Sequence, residues 1–131
     1  MSNSARLTRH DWINAGVRVL ASDGPGALRA EPMSRRMNTT KGSFYWHFKD
    51  VPDFHAALLA QWCEGALATL DHACDAEAPT AAQLRGACQA VAALAAQGAG
   101  AAVRAWARDN AVARAALARF DAHCHARLAD L

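Results

Sequence analysis

Residues 39–49 read TTKGSFYWHFK and form the most informative stretch of the chain. Thr40 is suited to cap a short helix that ends near Phe48, because its hydroxyl can accept a hydrogen bond from a free backbone N–H of the first turn. Phe44 and Phe48 lie four residues apart and therefore share one face of that helix, which we expect to be buried. The stretch thus predicts a short, capped helix anchored by two phenylalanines.

Three further rings, Tyr45, Trp46 and His47, lie between those two phenylalanines. Successive helical residues are about 100° apart, so the three rings cannot all face the core and at least one must be exposed. Lys41 and Lys49 lie close by and favour an anionic partner. Exposed aromatic side chains beside basic ones indicate a surface that binds duplex DNA, and an aromatic rim packed on the first helix is the alternative.

Two helices are predicted before this stretch. Thr8 and Asp11 resemble a capping box that begins a first helix over residues 9–22. A break rich in glycine and proline ends that helix. A short second helix is expected over residues 30–37, and Asn38 ends it because asparagine tolerates a left-handed backbone. The second and third helices, joined by a tight turn, then form a helix-turn-helix.

Four more helices are predicted after the stretch. Asp50 is expected to cap a fourth helix that reaches about Cys74 and is the longest in the first half of the chain. It should pack Phe54 and Leu58 on Trp12 or Leu20 of the first helix. Its predicted apolar face comprises Phe54, Leu58, Leu59, Trp62, Leu67 and Leu70.

A fifth helix over residues 81–97 is nearly free of charge, which predicts burial on most sides. A sixth, shorter helix precedes a seventh that begins near Ala111. The final residues, ARLADL, keep the helical pattern, which predicts either a natural stop inside a helix or a shortened chain.

Composition predicts an all-α fold. About a quarter of the 131 residues are alanine, and the hydrophobic content of 53% is ample for a buried core. The net charge of +2 hides an asymmetry, because residues 1–49 hold eight basic and three acidic side chains, whereas residues 50–131 hold six basic and nine acidic. We therefore expect a helix-turn-helix DNA-binding domain over 1–49 and a helical regulatory and dimerisation domain, incomplete in this chain, over 50–131.

The four cysteines, Cys63, Cys74, Cys88 and Cys124, are widely and irregularly spaced inside predicted helices, which argues against a disulfide framework. No secretory signal pattern opens the sequence. The longest uncharged run, residues 86–103, is too weakly apolar to span a bilayer. These features predict a protein of the reducing cytoplasm with no membrane partner.

The order of a capped first helix, a Gly-rich break, a two-helix unit ending in FYWHFK and a long fourth helix resembles the tetracycline-repressor (TetR) family of bacterial transcriptional regulators. The likeness covers roughly residues 6–60 and is sharpest at GSFYWHFKD, which is similar to the family's recognition helix. A weaker likeness continues at VRAWARDNAVARAALARFDAHCHARL. The resemblance implies a ligand-responsive repressor of transcription, a homodimer whose paired recognition helices enter major grooves of an operator about 34 Å apart.

The candidate DNA-binding residues lie in the recognition stretch and on its flanks. Tyr45 and Lys49 are expected at phosphates, and Lys41 and Ser43 at base edges or phosphates. Arg9 is a further candidate on the flank, and the direction of two arginines of the second helix is left open. The full set is Arg6, Arg29, Thr40, Lys41, Gly42, Ser43, Tyr45, Trp46, His47 and Lys49.

Several positions depart from the family pattern. The pairs Met33-Ser34 and Asn38-Thr39 stand where the family usually has Ile-Ala and Gly-Val, and Val51 stands where it usually has a lysine. Lys49 is near enough to make the phosphate contact of that lysine. The resemblance implies dimerisation through two C-terminal helices, which we expect to be missing from these 131 residues.

The regulatory part supports two expectations. Trp62 and Trp106 are candidates to line the pocket of a small-molecule effector whose identity is left open. A weak or rearranged dimer is expected through the Ala-rich C-terminal helices, with Trp106, Leu117 and Phe120 as apolar anchors that would otherwise be exposed.

Other classes of function are disfavoured. His123-Cys124-His125 invites a metal site, but adjacent helical residues point in three directions, so neither a metal nor another cofactor is predicted. The sequence contains no phosphate loop, no nucleophile elbow and no acidic pair near a histidine, so no motif indicates an enzyme. The remaining alternative is a helical interaction module that binds protein through the helix-turn-helix surface and does not bind DNA.

Overall fold

The computed structural model describes residues 6–74, 77, 79–96 and 98–130. These residues form seven α-helices and no strand, so the predicted all-α class is confirmed. The helices are α1 (Arg9–Asp23), α2 (Ala30–Arg36), α3 (Lys41–His47), α4 (Val51–Ala73), α5 (Thr80–Ala96), α6 (Gly98–Trp106) and α7 (Ala111–Ala129), with a 3-10 turn at Pro25–Ala27. The predicted end of the fifth helix, Gln97, lies outside the described residues.

Short-range capping signals set the beginnings of four helices. In each, a side-chain oxygen accepts a hydrogen bond from the backbone N–H three residues on: Thr8 from Asp11 (3.0 Å), Thr40 from Ser43 (3.2 Å), Asp50 from Asp53 (2.8 Å) and Asn110 from Ala113 (2.9 Å). The Asp11 carboxylate accepts the Thr8 backbone N–H in return, which completes the predicted capping box and holds the pKa of Asp11 below its usual value. Asn38 adopts the expected left-handed backbone, with φ of 55°.

The long helix α4 is the centre of the packing. It contacts α1, α5 and α7, while α6 packs on α1, α5 and α7. Leu67 of the predicted apolar face of α4 is half-buried, and the other predicted side chains are buried: Phe54, Leu58, Leu59, Trp62 and Leu70. At 23 residues α4 is also the longest of the described helices, as the sequence predicts for the first half of the chain.

Four buried rings join α1, α3 and α4. Trp12 lies 5.5 Å from Phe44 between ring centroids, Phe44 lies 5.2 Å from Phe54, and Phe48 lies 4.9 Å from Phe54. We call these four residues the aromatic cluster. The T-shaped contacts of Phe44 with Trp12 and Phe54 are of the kind that aromatic pairs favour, and each adds to the burial of apolar area.

Gly16 allows α1 to approach the aromatic cluster. A Cβ atom at this position would lie 2.8 Å from the Cζ of Phe54 and 3.1 Å from a methyl group of Leu58. Both neighbours are buried side chains of α4. The predicted packing of Phe54 on the first helix is confirmed, and its partner on α1 is a glycine.

The helix α5 differs from its prediction. Ala87 is its one buried residue within the described range Thr80–Ala96, and Leu84 is exposed. The inference from missing charge to burial was wrong because alanine has a high helix propensity but little apolar area to bury. α5 packs on α4 and α6 from outside.

The three apolar residues predicted to anchor a dimer through the C-terminal helices also differ from their prediction. Phe120 is buried within the chain and lies 5.7 Å from the Trp62 ring, so the expectation that it would be exposed was wrong. Trp106 and Leu117 are half-buried and pack on the core. The reason is that α4 and α7 pack closely and leave α7 a buried face of its own.

His55 connects α4 to two other parts of the fold. Its Nε2–H donates to the carbonyl oxygen of Leu28 at 2.8 Å, and its ring lies edge-on to Trp106 with 4.9 Å between centroids. Burial lowers the pKa of His55, and the hydrogen bond to Leu28 acts in the opposite direction. The loop before α2 is thus tied to α6 through one imidazole.

Across the described residues, no single helix has both the length and the apolar character to cross a bilayer; α5 and α6 satisfy both measures as a pair, but they are bent by 66°.

We expect Gly16→Ala to lower the free energy of unfolding by about 1–3 kcal/mol, because the new methyl group overpacks the aromatic cluster. The matched control is Gly65→Ala in α4, where an added Cβ meets no atom within 4 Å. That change should raise the free energy of unfolding by about 0.5–1 kcal/mol through helix propensity alone. Urea denaturation of both variants measures the contrast, and equal effects of the two would contradict the close packing at Gly16.

We expect the folded state to lose stability as the pH falls through the ordinary histidine pKa of 6.5, because the unfolded chain binds a proton at His55 more readily than the folded chain does. Urea denaturation at about pH 8 and about pH 5 measures the loss. The change His55→Gln should reduce the difference between the free energies of unfolding measured at these two pH values. The exposed His125 serves as the control, since His125→Gln should leave the difference as it is in the wild type.

Candidate nucleic-acid interface

The helix α3 is fixed through its inner side. Phe44 and Phe48 are buried in the aromatic cluster, as the sequence predicts, and α2 packs on α3. The connection from α2 is fixed by the backbone N–H of Thr39, which donates to the carbonyl oxygen of Ser34 at 2.9 Å. With its inner side fixed, α3 presents its opposite side outward.

The outward side of α3 carries Lys41, Gly42, Tyr45 and Trp46, which we call the α3 face. Lys41 and Tyr45 form one i, i+4 pair and Gly42 and Trp46 the other, so the four residues lie together. Trp46 is 84% exposed and Tyr45 is 51% exposed, although the ring of Tyr45 rests edge-on against Phe44 at 5.0 Å. A tryptophan this exposed is unusual on a protein surface and indicates a partner.

Thr40 and Ser43 lie at the start of this surface. The Thr40 hydroxyl oxygen accepts the Ser43 backbone N–H, and Ser43 is half-buried. At Gly42 an added Cβ would meet Thr40 Oγ1 alone, at 3.6 Å, so packing within the chain does not require a glycine there. The missing side chain leaves the helix free to approach a partner closely.

His47 plays a part that the sequence did not indicate. It is half-buried, and its Nε2–H donates to the carbonyl oxygen of Leu7 at 3.0 Å. This bond ties the last turn of α3 to the segment before α1. The ring therefore holds α3 in place, and one of its two nitrogen atoms is already engaged.

Several cations near α3 are paired within the chain. Arg35 binds Glu31 at 2.9 Å, Lys41 lies 4.0 Å from the same carboxylate, and Arg36 pairs with Asp23. The guanidinium of Arg9 lies over the Phe48 ring, 4.9 Å from its centroid. The two α2 arginines whose direction the sequence left open are thus both paired, Arg35 within α2 and Arg36 with the last residue of α1.

Three predicted cations remain exposed. Arg6, Arg29 and Lys49 have no ion-pair partner among the described residues. The backbone N–H of Lys49 donates to the Asp53 carboxylate at 3.0 Å, which fixes the start of its side chain just beyond α3. Lys49 lies two residues beyond the end of α3, whereas no hydrogen bond or ion pair among the described residues links Arg6 or Arg29 to α3.

The His-Cys-His run on α7 is dispersed. His123 Nε2–H donates to the Asp71 carboxylate at 2.8 Å, Cys124 is buried, and His125 is exposed. Arg127 Nε lies 3.1 Å from the same oxygen of Asp71, so the pairing joins α7 to α4. Burial raises the pKa of the Cys124 thiol. Within the described ranges no group of three His, Cys, Asp or Glu side chains could hold a metal ion, and all four cysteines are free.

A cavity of about 640 Å³ opens between α1, α4, α5 and α6. Trp62 lines it, as the sequence suggests for an effector pocket, but Trp106 is not among the lining residues and packs on His55 instead. Sequence reasoning missed Asn14 and Arg18, which line the cavity from α1. Their i, i+4 spacing was the available signal, but which helices face them depends on the tertiary fold.

Searches with family models, against curated proteins and against solved structures find no significant match to this chain.

We expect His47→Ala to lower the free energy of unfolding by about 1 kcal/mol, since it removes the hydrogen bond to Leu7. His125→Ala, which removes an exposed histidine, should have little effect. Urea denaturation at about pH 8, where histidine is mostly neutral, measures both changes. A loss of DNA binding by His47→Ala without a loss of stability would show instead that His47 contacts a partner directly.

Proposed function

We propose that this chain is a ligand-responsive transcriptional regulator, a repressor, in which α2 and α3 form a helix-turn-helix that binds duplex DNA. The observation that carries the proposal is the α3 face, where Tyr45 and Trp46 are exposed beside Lys41 on a helix fixed from behind by two buried phenylalanines. The resemblance of GSFYWHFKD to the recognition helix of the TetR family leads to the same function.

Charge supports the choice of partner. The basic excess of the chain lies in residues 1–49. Lys49 is exposed and unpaired within the described part, and Lys41 shares Glu31 with Arg35 at the longer of the two distances. Exposed ion pairs of this kind are weak, so a phosphate can displace Glu31 from Lys41 at little cost.

The roles divide according to position. Lys49 and the Tyr45 hydroxyl bind phosphates on either side of the groove, while Lys41 and Ser43 reach base edges or phosphate from the first turn. Trp46 makes apolar contact with a thymine methyl group or with the sugar-phosphate backbone. Gly42 permits the close approach that these contacts need. His47 acts by fixing the angle of α3, and Thr40 by fixing its start.

Binding to an operator calls for a homodimer. One α3 covers a single half-site, and linking two half-sites multiplies affinity through effective concentration. In the mechanism that the resemblance implies, a ligand bound in the helical regulatory domain moves the fourth helix and changes the distance between the two recognition helices. The cavity beside Trp62 is the place where such an effector would bind.

One observation also suits a second function. Adjacent exposed aromatic residues such as Tyr45 and Trp46 are common at the centres of protein interfaces, so the same face could bind a protein. The dependence of binding on salt separates the two functions, because displacement of counterions from phosphates gives a steep and linear decrease of log K with log salt.

We expect Lys49→Ala to weaken binding to every duplex and to reduce the salt slope by about one unit, since one phosphate contact is lost. Lys41→Ala and Ser43→Ala should instead change the preference among sequences. Operator selection from random duplexes, followed by binding isotherms at several salt concentrations, provides both measurements.

Arg119→Ala is the matched control. Arg119 is exposed on α7 and lies in the acidic remainder of the chain, so its removal should leave affinity and slope unchanged. If Lys49→Ala behaves like Arg119→Ala on a selected operator, the phosphate contact is refuted. If the wild-type chain binds no duplex at low salt, DNA binding itself is refuted.

A further inference from the structure

The cavity has an apolar lining with polar groups on two of its walls. α5 and α6 contribute alanine, glycine and Leu94, and α4 contributes Trp62 and Ala66. Asn14 and Arg18 lie on the α1 wall, and Gln61 and Thr69 lie on the α4 wall. The Thr69 hydroxyl already donates to the Gly65 carbonyl at 2.9 Å. A volume of about 640 Å³ falls within the range of sites that hold small organic ligands.

Arg18 is the one charged side chain of this lining, and no carboxylate lies among the other lining residues. Its guanidinium has no ion-pair partner in the described part of the chain. Asn14 lies one helical turn away on the same side of α1 and adds an amide donor. The α1 wall therefore offers donors and a positive charge that no carboxylate among the described residues pairs with.

The acidic balance of residues 50–131 acts against an anion in this cavity, but none of the described carboxylates in that part of the chain is among the lining residues, and the nearest in sequence, Glu64, is exposed. Interactions between exposed charges are weakened by water and salt. A direct, charge-assisted hydrogen bond to a guanidinium is among the strongest that proteins make. The local contact with Arg18 therefore decides which charge the cavity accepts.

We propose that this cavity binds an amphipathic anion, with a carboxylate held by Arg18 and Asn14 and an apolar chain or ring lying along Trp62 and the alanine-rich walls of α5 and α6. The proposal deepens the ligand response proposed above and rests on it. It names the chemical class of the effector as an apolar carboxylic acid.

Isothermal titration calorimetry of the full chain without DNA tests the proposed chemical class of the effector. The probes are octanoate, 1-octanol and octylamine, which have equal chain length. We expect octanoate to bind at least about tenfold more tightly than octanol, since a hydrogen bond to a charged group contributes at least that much. Octylamine should bind more weakly than either. The change Arg18→Gln should remove the preference for octanoate, whereas Arg119→Gln should preserve it.

The change Gly65→Leu tests whether octanoate binds in this cavity. Gly65 lines the cavity, and a Cβ there meets no atom within 4 Å, so the larger side chain can occupy the space without disturbing the helix. Circular dichroism and urea denaturation confirm the fold, and octanoate binding should then be lost. The inference is overturned if octanoate binds no better than octanol, if its preference over octanol survives Arg18→Gln, or if its binding survives Gly65→Leu. Because no DNA is present, failure here is distinct from failure to bind an operator.

Discussion

The close approach of α1 to α4 at Gly16 is the contact on which the rest of the structure depends. The absence of a side chain at Gly16 lets the Phe54 ring lie against the α1 backbone, and Phe54 in turn packs on Phe44 and Phe48. These two phenylalanines fix the inner side of α3. A single small residue on α1 thus determines how firmly the exposed side of α3 is held.

Two histidines extend this arrangement through polar contacts. His47 fastens the end of α3 to the Leu7 carbonyl, and His55 fastens α4 to the Leu28 carbonyl and to Trp106 of α6. Both bonds join an imidazole to a backbone carbonyl far away in the chain. Val17 of the cavity wall packs on the same core that contains Phe44 and Phe48 beneath the α3 face, so a ligand that shifts α1 against α4 would also act on the base of α3.

The candidate site could be predicted in part. The burial of Phe44 and Phe48 and the exposure of at least one of the three rings between them followed from helical geometry and are confirmed; the structure shows that the exposed rings are Tyr45 and Trp46. Partners could not be predicted, because a sequence does not show that Glu31 reaches both Arg35 and Lys41. DNA binding, the dimer and the division at residue 49 remain predictions, since they concern contacts beyond a single chain or functions that the fold alone does not define.

The sequence by itself determined the helices, their caps and the left-handed turn at Asn38, because each depends on residues within about four positions of one another. Tertiary structure alone decided the exposure of α5, the burial of Phe120 and the place of Arg18 at a cavity. The physical reason is that burial depends on which helices meet, whereas helix formation depends on local hydrogen bonds and propensity. An alanine-rich helix forms equally well inside or outside, so its sequence could not show on which side of the core it would lie.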